Sequence, residues 1–169
     1  NGHRFLQFKT AKEKPKDSGL LFLEAASGNN PLLFTHLTDE EKNPTPAQCA
    51  LALLTFQNFS PLTNGCYPGR APAIQNNMVH CFRCATTLKC CLISNMLSES
   101  LITTFYGPTG RGKPVWEFST DHVSDLVAKR DDLEATYLGR LVPVTRAIWL
   151  LDEGERMIMD NALTYQPFE

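Results

Sequence analysis

With 169 residues, the chain can form one ordinary domain with a real hydrophobic core. Its 43% hydrophobic and 20% charged residues exclude a disordered chain, and no apolar run approaches the ~20 residues that span a bilayer, so no membrane partner is expected. A formal charge of -2 excludes a chain built throughout to grip nucleic acid but leaves room for a local basic loop.

Six cysteines are an even number, yet Cys90 and Cys91 are adjacent and Cys84 falls in the same helical pattern. That spacing suits thiols kept reduced in a cytoplasm better than a secreted disulfide scaffold. Nothing at the start reads as a signal peptide. The chain opens without Met inside the apolar phrase GHRFLQF and stops just after the strand-like phrase ERMIMDNALTYQPF, which predicts a piece of a longer protein.

Taken in order, Arg4 to Phe8 predicts a short strand, and KTAKEKPKDSG predicts an exposed, lysine-rich linker. Leu20 to Ala26 reads as a short helix ending at SGNN, whose small polar residues tolerate unusual backbone angles. PLLFTHLTDEEKNP then reads as a long loop carrying large apolar side chains and one His. The clearest helix follows in NPTPAQCALALLTFQNF. Thr45 suits the N-cap, Pro46 the first helical position and Gln48 the return bond of a capping box. Cys49, Ala52, Leu53 and Phe56 recur at helical spacing and predict one buried face, with Ser60-Pro61 as the stop.

Residues 61–77, rich in Gly, Pro and Asn, predict a second long loop. A second main helix is expected over Cys84 to Leu97, with Cys84, Leu88, Cys91 and Leu92 on one face. LITTFY and VWEF read as strands flanking a loop, and Asp121 to Leu133 as a polar helical turn or two. LVPVTRAIWLL and RMIMDNAL read as strands of a hairpin joined by DEGE. Segregated short strands, two main helices and long loops predict an irregular α+β domain.

Three stretches invite chemistry. In TTFYGPTGRGKPVWEF, Gly107 stands four residues before Gly112-Lys113, close to a P-loop. A P-loop ends in Ser or Thr, whose hydroxyl binds magnesium, and opens into a helix; here Pro114 holds that position. Only a weak anion contact by Arg111 or Lys113 is left. The second stretch, HCFRCATTLKCC, offers Cys81 and Cys84 as a C-x-x-C, with His80 adjacent and Cys66 upstream. Zinc needs a second pair, and along a helix Cys84 and Cys91 lie about 10 Å apart, too far to share an ion held at about 2.3 Å. Core packing is the expectation, and a zinc- or thiol-dependent domain built on Cys66, Cys81 and Cys84 is the alternative. Third, His3, His36, His80 and His122 are scattered and no G-x-S-x-G or H-E-x-x-H occurs, so no enzyme, cofactor or metal is expected.

Several phrases recur in one order: Phe5-Leu6-Gln7, Ser27-Gly28, an Ala/Leu-rich helix with Gln57 near its end, the PGRAP loop, Pro114-Val115-Trp116-Glu117 and Thr145-Arg146. Together they resemble the N-terminal part of the CasA family, the large subunits of Cascade, the type I-E CRISPR surveillance complex. The likeness covers nearly the whole chain, so residues 1–169 are expected to be part of a CasA-like N-terminal domain. It implies a non-catalytic subunit that helps recognise the protospacer-adjacent motif (PAM), admits duplex DNA and presents the complex to the helicase-nuclease. The implied partners are target double-stranded DNA, CRISPR RNA, the other Cascade subunits and the helicase-nuclease.

Carried over by position, the first recognition loop falls on Asn29 to His36, with Asn29, Asn30, Phe34, Thr35 and His36 as the DNA-binding candidates. An aromatic tip can wedge beside a base step, and Asn or His can bond minor-groove acceptors; Leu32, Leu33 and Phe34 could equally tuck the loop onto the core. The second loop falls on Gly65 to Ala73, with Gly69, Arg70 and Ala71 as candidates. Family members are glycine-rich there, which lets backbone approach a ligand. This chain keeps only Gly65 and Gly69 and adds prolines, while Arg70 suits a phosphate contact. The family's glutamine-bearing wedge hairpin and C-terminal four-helix bundle would lie beyond Glu169, so the chain alone is expected to bind DNA poorly.

Overall fold

The computed structural model describes residues 4–22, 44–59, 81–163 and 165. The fold is α+β, as expected, and its centre is the predicted hairpin. Strand β2 (Arg146–Leu151) pairs antiparallel with β3 (Arg156–Asn161), in a register running from Arg146 opposite Asn161 to Leu151 opposite Arg156. A two-residue strand, β1 (Lys16–Asp17), pairs with the other side of β3, giving the order β1-β3-β2.

The DEGE turn is tight because three successive residues take positive φ: Asp152 at 48°, Glu153 at 56° and Gly154 at 105°. Glycine is required at the third, since a Cβ there would stand 3.0 Å from Cys49 Sγ as well as in an unfavourable conformation. The Arg156 guanidinium bonds the Asp152 carboxylate across the turn. Ser18 clasps it from outside, donating its N–H (3.2 Å) and hydroxyl (2.9 Å) to Glu155 O.

An outer strand leaves every second residue's N–H and C=O facing away from its partner. On β2 those groups belong to Arg146, Ile148 and Leu150, and other parts of the chain engage them. The Gln57 amide donates to Arg146 O at 2.7 Å and accepts from Arg146 N at 3.4 Å. Phe8 N donates to Ile148 O at 2.9 Å. Leu150 N donates to Gln7 Oε1 at 3.1 Å, and Arg4 Nη1 donates to Leu150 O at 3.0 Å. Gln57 is only 1% exposed, so these bonds are what make a buried amide tolerable there.

Helix α1 (Pro46–Phe59) delivers Gln57 to that edge. Its predicted capping box is present: Thr45 N donates to Gln48 Oε1 (2.8 Å) and Gln48 N to Thr45 Oγ1 (3.3 Å). Cys49, Ala52, Leu53 and Phe56 are all buried, as the spacing predicted, and join Ile148, Leu150 and Met157 in one core cluster. Burying a side chain of Leu or Phe size contributes about 1.5–3 kcal/mol, so this face holds α1 on the sheet.

Other expectations are corrected. Arg4 to Phe8 is a turn rather than a strand, because Leu6 is fully buried at a φ of 52°, which no strand allows. Just after it, Lys9 forms an isolated bridge, parallel to His122. LITTFY belongs to helix α3 (Glu99–Tyr106): its β-branched run suggested a strand, but Ser98 caps the start and Gly107, at φ 81°, ends it. VWEF forms a 3₁₀ turn over Val115–Glu117. The second main helix is shorter than expected: α2 (Leu88–Asn95) starts after Thr87, whose side chain caps it. Asp121 to Leu133 does hold two short helices, α4 (Val123–Ala128) and α5 (Arg130–Glu134), followed by an unexpected α6 (Tyr137–Leu141). The helix expected from Leu20 begins earlier, as a 3₁₀ turn over Ser18–Leu21; its remainder from 23 onward lies outside the described residues. Among the described residues no helix is long and apolar enough to cross a membrane.

Replacing Gln57 by Leu removes the two hydrogen bonds that the Gln57 amide makes to the Arg146 N–H and C=O, which should cost about 2–3 kcal/mol. Urea unfolding measures this, and a Gln57→Leu protein as stable as the parent would contradict it. Tyr165 supplies a pH test. Its hydroxyl accepts from Val144 N at 3.4 Å, and burial pushes the phenol up to about 12. The folded chain therefore keeps a proton that the unfolded chain releases near 10, so this contribution is intact below pH ~10 and is lost as pH rises towards 12. Between those values the unfolding midpoint of the parent should fall faster with pH than that of Tyr165→Phe; parallel curves would refute the assignment.

Candidate nucleic-acid interface

All eight sequence-predicted contact residues, Asn29, Asn30, Phe34, Thr35, His36, Gly69, Arg70 and Ala71, lie outside the described residues, as does Cys66. The structure describes instead the residues that flank the two expected loops in the chain. Before the first stand Leu21, which is buried, and Phe22, which packs against the core; after it stands Pro44, beside the hairpin turn. The second expected loop follows α1 in the chain. A helix of 14 residues is about 21 Å long at 1.5 Å per residue. One rod, bolted to β2 through Gln57, thus separates the described residues that precede and follow it.

The P-loop-like segment has a different use. Gly110 O accepts from Tyr137 N at 2.8 Å and Arg111 O from Leu138 N at 3.0 Å, so loop carbonyls take the first donors of α6. A phosphate cradle presents N–H groups; this loop presents oxygen to them. Gly112, at φ 64°, lies so close to α6 that a Cβ would stand 2.2 Å from Thr136 Oγ1. The segment links α3 to the 3₁₀ turn, not two strands, and its glycines serve close packing. Arg111 and Lys113 are exposed at its surface.

A groove of about 560 Å³ runs beside this framework, lined among others by Arg4, Gln7, Cys49, Trp149 and Glu153. Arg4 Cζ and Lys9 Nζ each lie 4.6 Å from the centre of the Trp149 ring, a cation–π arrangement that orders the first basic residues of the chain. The lysine-rich linker is exposed over Ala11 to Asp17, as expected, but it is tied to the sheet: its end forms β1, Ser18 is buried, and Lys12 Nζ bonds Asp160 Oδ1 at 2.6 Å.

The thiols depart from the expectation of core packing. Cys49 is buried, but Cys81, Cys84 and Cys90 are exposed and Cys91 is half-buried; all five are free. Leu88 and Leu92, expected on a buried face, are exposed as well. The C-x-x-C is ordered by α2: Arg83 N donates to Asn95 Oδ1 and Asn95 Nδ2 to Arg83 O, both at 2.8 Å, while Cys91 Sγ bonds Arg83 O at 3.3 Å. Among the described residues no group of three or more His, Cys, Asp or Glu could hold a metal ion. Burial pushes the Cys49 thiol up, which suppresses its thiolate. Alkylation followed by peptide mapping should therefore modify Cys81, Cys84 and Cys90 at least ~10-fold faster than Cys49; equal rates would show that the exposure is wrong.

The chain matches the family described as CRISPR-associated protein Cse1 over residues 2–168. It is 30% identical over 150 residues to the CRISPR-associated protein CasA/Cse1 of Thermus thermophilus, an alignment covering 85% of this chain and 28% of that protein. No solved structure matches significantly. Both predicted loops, the hairpin and α1 all fall within the matched span, and the chain belongs to the CRISPR-associated Cse1/CasA family.

Proposed function

We propose that this chain is part of the N-terminal domain of a CasA-type large subunit: a cytoplasmic, non-catalytic component of a CRISPR RNA-guided Cascade complex. In this reading it contributes to PAM recognition and double-stranded DNA binding, touches neighbouring ribonucleoprotein subunits and helps to recruit the helicase-nuclease. The observation that carries it is the family match spanning residues 2–168, which takes in both candidate loops.

The chemistry assigned to the loops is that of groove contact rather than bond making. Phe34 acts as a wedge beside a base step, with Asn29, Asn30, Thr35 and His36 as hydrogen-bonding neighbours. Gly69 and Ala71 let backbone approach, and Arg70 neutralises a phosphate, a contact that positions the protein without reading sequence. The rigidity of α1 supports this division of labour, because groove contacts need a fixed spacing between loop roots.

A second reading, a zinc- or thiol-dependent unit built on Cys66, Cys81 and Cys84, is favoured by the exposure of Cys81 and Cys84 on one short, ordered segment. Metal analysis of the purified chain separates the two: one equivalent of zinc that disappears on replacing Cys81 and Cys84 by Ser would support it. For the leading reading, the double variant Phe34→Ala, His36→Ala in the full subunit of a reconstituted complex should weaken target-DNA affinity by about tenfold or more, ~1.4 kcal/mol. Arg70→Ala should weaken binding on all sequences alike and flatten its salt dependence. Unchanged affinity in the double variant would remove the first loop from recognition.

A further inference from the structure

The two outer edges of the sheet are finished differently. The edge of β2 is engaged along its length, whereas β1 covers β3 only at Met157 and Arg156. In the β2–β3 register Ile148 stands opposite Met159 and Arg146 opposite Asn161. Because the peptide groups of Ile148 and Arg146 face away from β3, those of Met159 and Asn161 face away from β2, towards the side that β1 occupies. Among the described residues the Met159 N–H and C=O and the Asn161 C=O have no hydrogen-bond partner. The Asn161 N–H donates at 2.8 Å to Oδ1 of its neighbour Asp160.

The residues just ahead of β1 are suited to that free edge. Ser18 N donates to Glu155 O, and Lys16 stands opposite Met157, so the even-numbered residues turn their peptide groups towards β3. The same register, continued, sets Lys14 opposite Met159 and Lys12 opposite Asn161. In that phase Glu13 and Pro15 face away from β3. Proline has no N–H, and a strand tolerates it only on an edge, where that group would face solvent. Pro15 also biases the residue before it, Lys14, towards extended backbone. Lysine and proline are the residue types that natural edge strands carry. Lys12 is already beside its place, since its Nζ bonds the same Asp160 Oδ1, at 2.6 Å, that accepts from Asn161 N–H.

We propose that residues 12–15 are a strap that closes on the free edge of β3, lengthening β1 from two residues to six. Closing exchanges the Asp160 cap on the Asn161 N–H for backbone pairing with Lys12, and pairs Met159 with Lys14. Closed, the strap denies the edge to a strand of another chain; open, it leaves Met159 and Asn161 as a template for one. The proposal does not rest on the DNA-binding reading, and no DNA enters its test.

Amide hydrogen exchange on the 169-residue chain reads the strap through its alternation. Lys14 N–H should exchange at least ~10-fold more slowly than Glu13 N–H after correction for intrinsic rates, and Met159 N–H should be protected with it. Lys14→Pro removes the N–H that faces β3 and should abolish the Met159 protection, whereas Glu13→Pro, on the solvent side, should keep it. Light scattering should show Lys14→Pro associating with itself at lower concentration than the parent, because its edge stays bare. Equal exchange of Lys14 and Glu13 in the parent would overturn the proposal, and that comparison decides even where a variant fails to fold. Met159 protection that survives Lys14→Pro, or is lost equally in Glu13→Pro, would overturn the register. Protection of Met159 that grows with protein concentration while Lys14 stays unprotected would assign the edge to a second copy instead.

Discussion

The outer edge of β2 is the constraint on which the structure depends. A strand with a bare edge either recruits another strand or leaves its peptide groups to water. Here Arg146, Ile148 and Leu150 are engaged by an N-terminal turn and by one buried glutamine from α1. Two side-chain amides, Gln7 and Gln57, do what a neighbouring strand's backbone would do, without the register that a strand would impose. Sealing the edge fixes where the N-terminal segment and α1 sit relative to the hairpin. The apolar face of α1 supplies most of the attraction, while the Gln57 bonds, being directional, select one placement of the helix among several that would bury the same area.

The helix that closes the sheet also stands between the two segments proposed for DNA contact: Asn29 to His36 precede α1 in the chain and Gly65 to Ala73 follow it. The loop at Gly107–Gly112 shows the complementary principle. Its glycines and carbonyls are consumed by close packing against Thr136 and by capping α6, which leaves a surface loop carrying Arg111 and Lys113 instead of an anion cradle.

Much of this was legible in the sequence, and the reasons are local. The Thr45–Gln48 capping box, Pro46 and the 49-52-53-56 spacing specify α1 through interactions within a few residues, and two β-rich runs flanking DEGE specify the hairpin. LITTFY and VWEF were misread because β-branched and aromatic residues favour strands only when a neighbour is available. Ser98 and Gly107 are the local signals that mark a helix around the first run. Arg4 to Phe8 runs beside the sheet yet is not a strand, since the buried left-handed Leu6 depends on contacts far along the chain. The roles of Gln7, Gln57 and Arg146 were visible only as members of a family pattern; their convergence on one strand edge joins residues separated by up to 143 positions. Cys84 and Cys91 depart from core packing because helical spacing reveals that a face is apolar but not whether anything packs against it.

Native-state hydrogen exchange at the β2 edge tests the central claim most directly. The Arg146 amide, which donates to Gln57, should exchange only through near-global unfolding in the parent. In Gln57→Ala it should exchange at least ~100-fold faster, while amides bonded within the β2–β3 ladder change far less. Arg146 protection that survives the loss of the Gln57 amide would show that the edge is closed by something else, and that α1 is not fixed to the sheet in the way described.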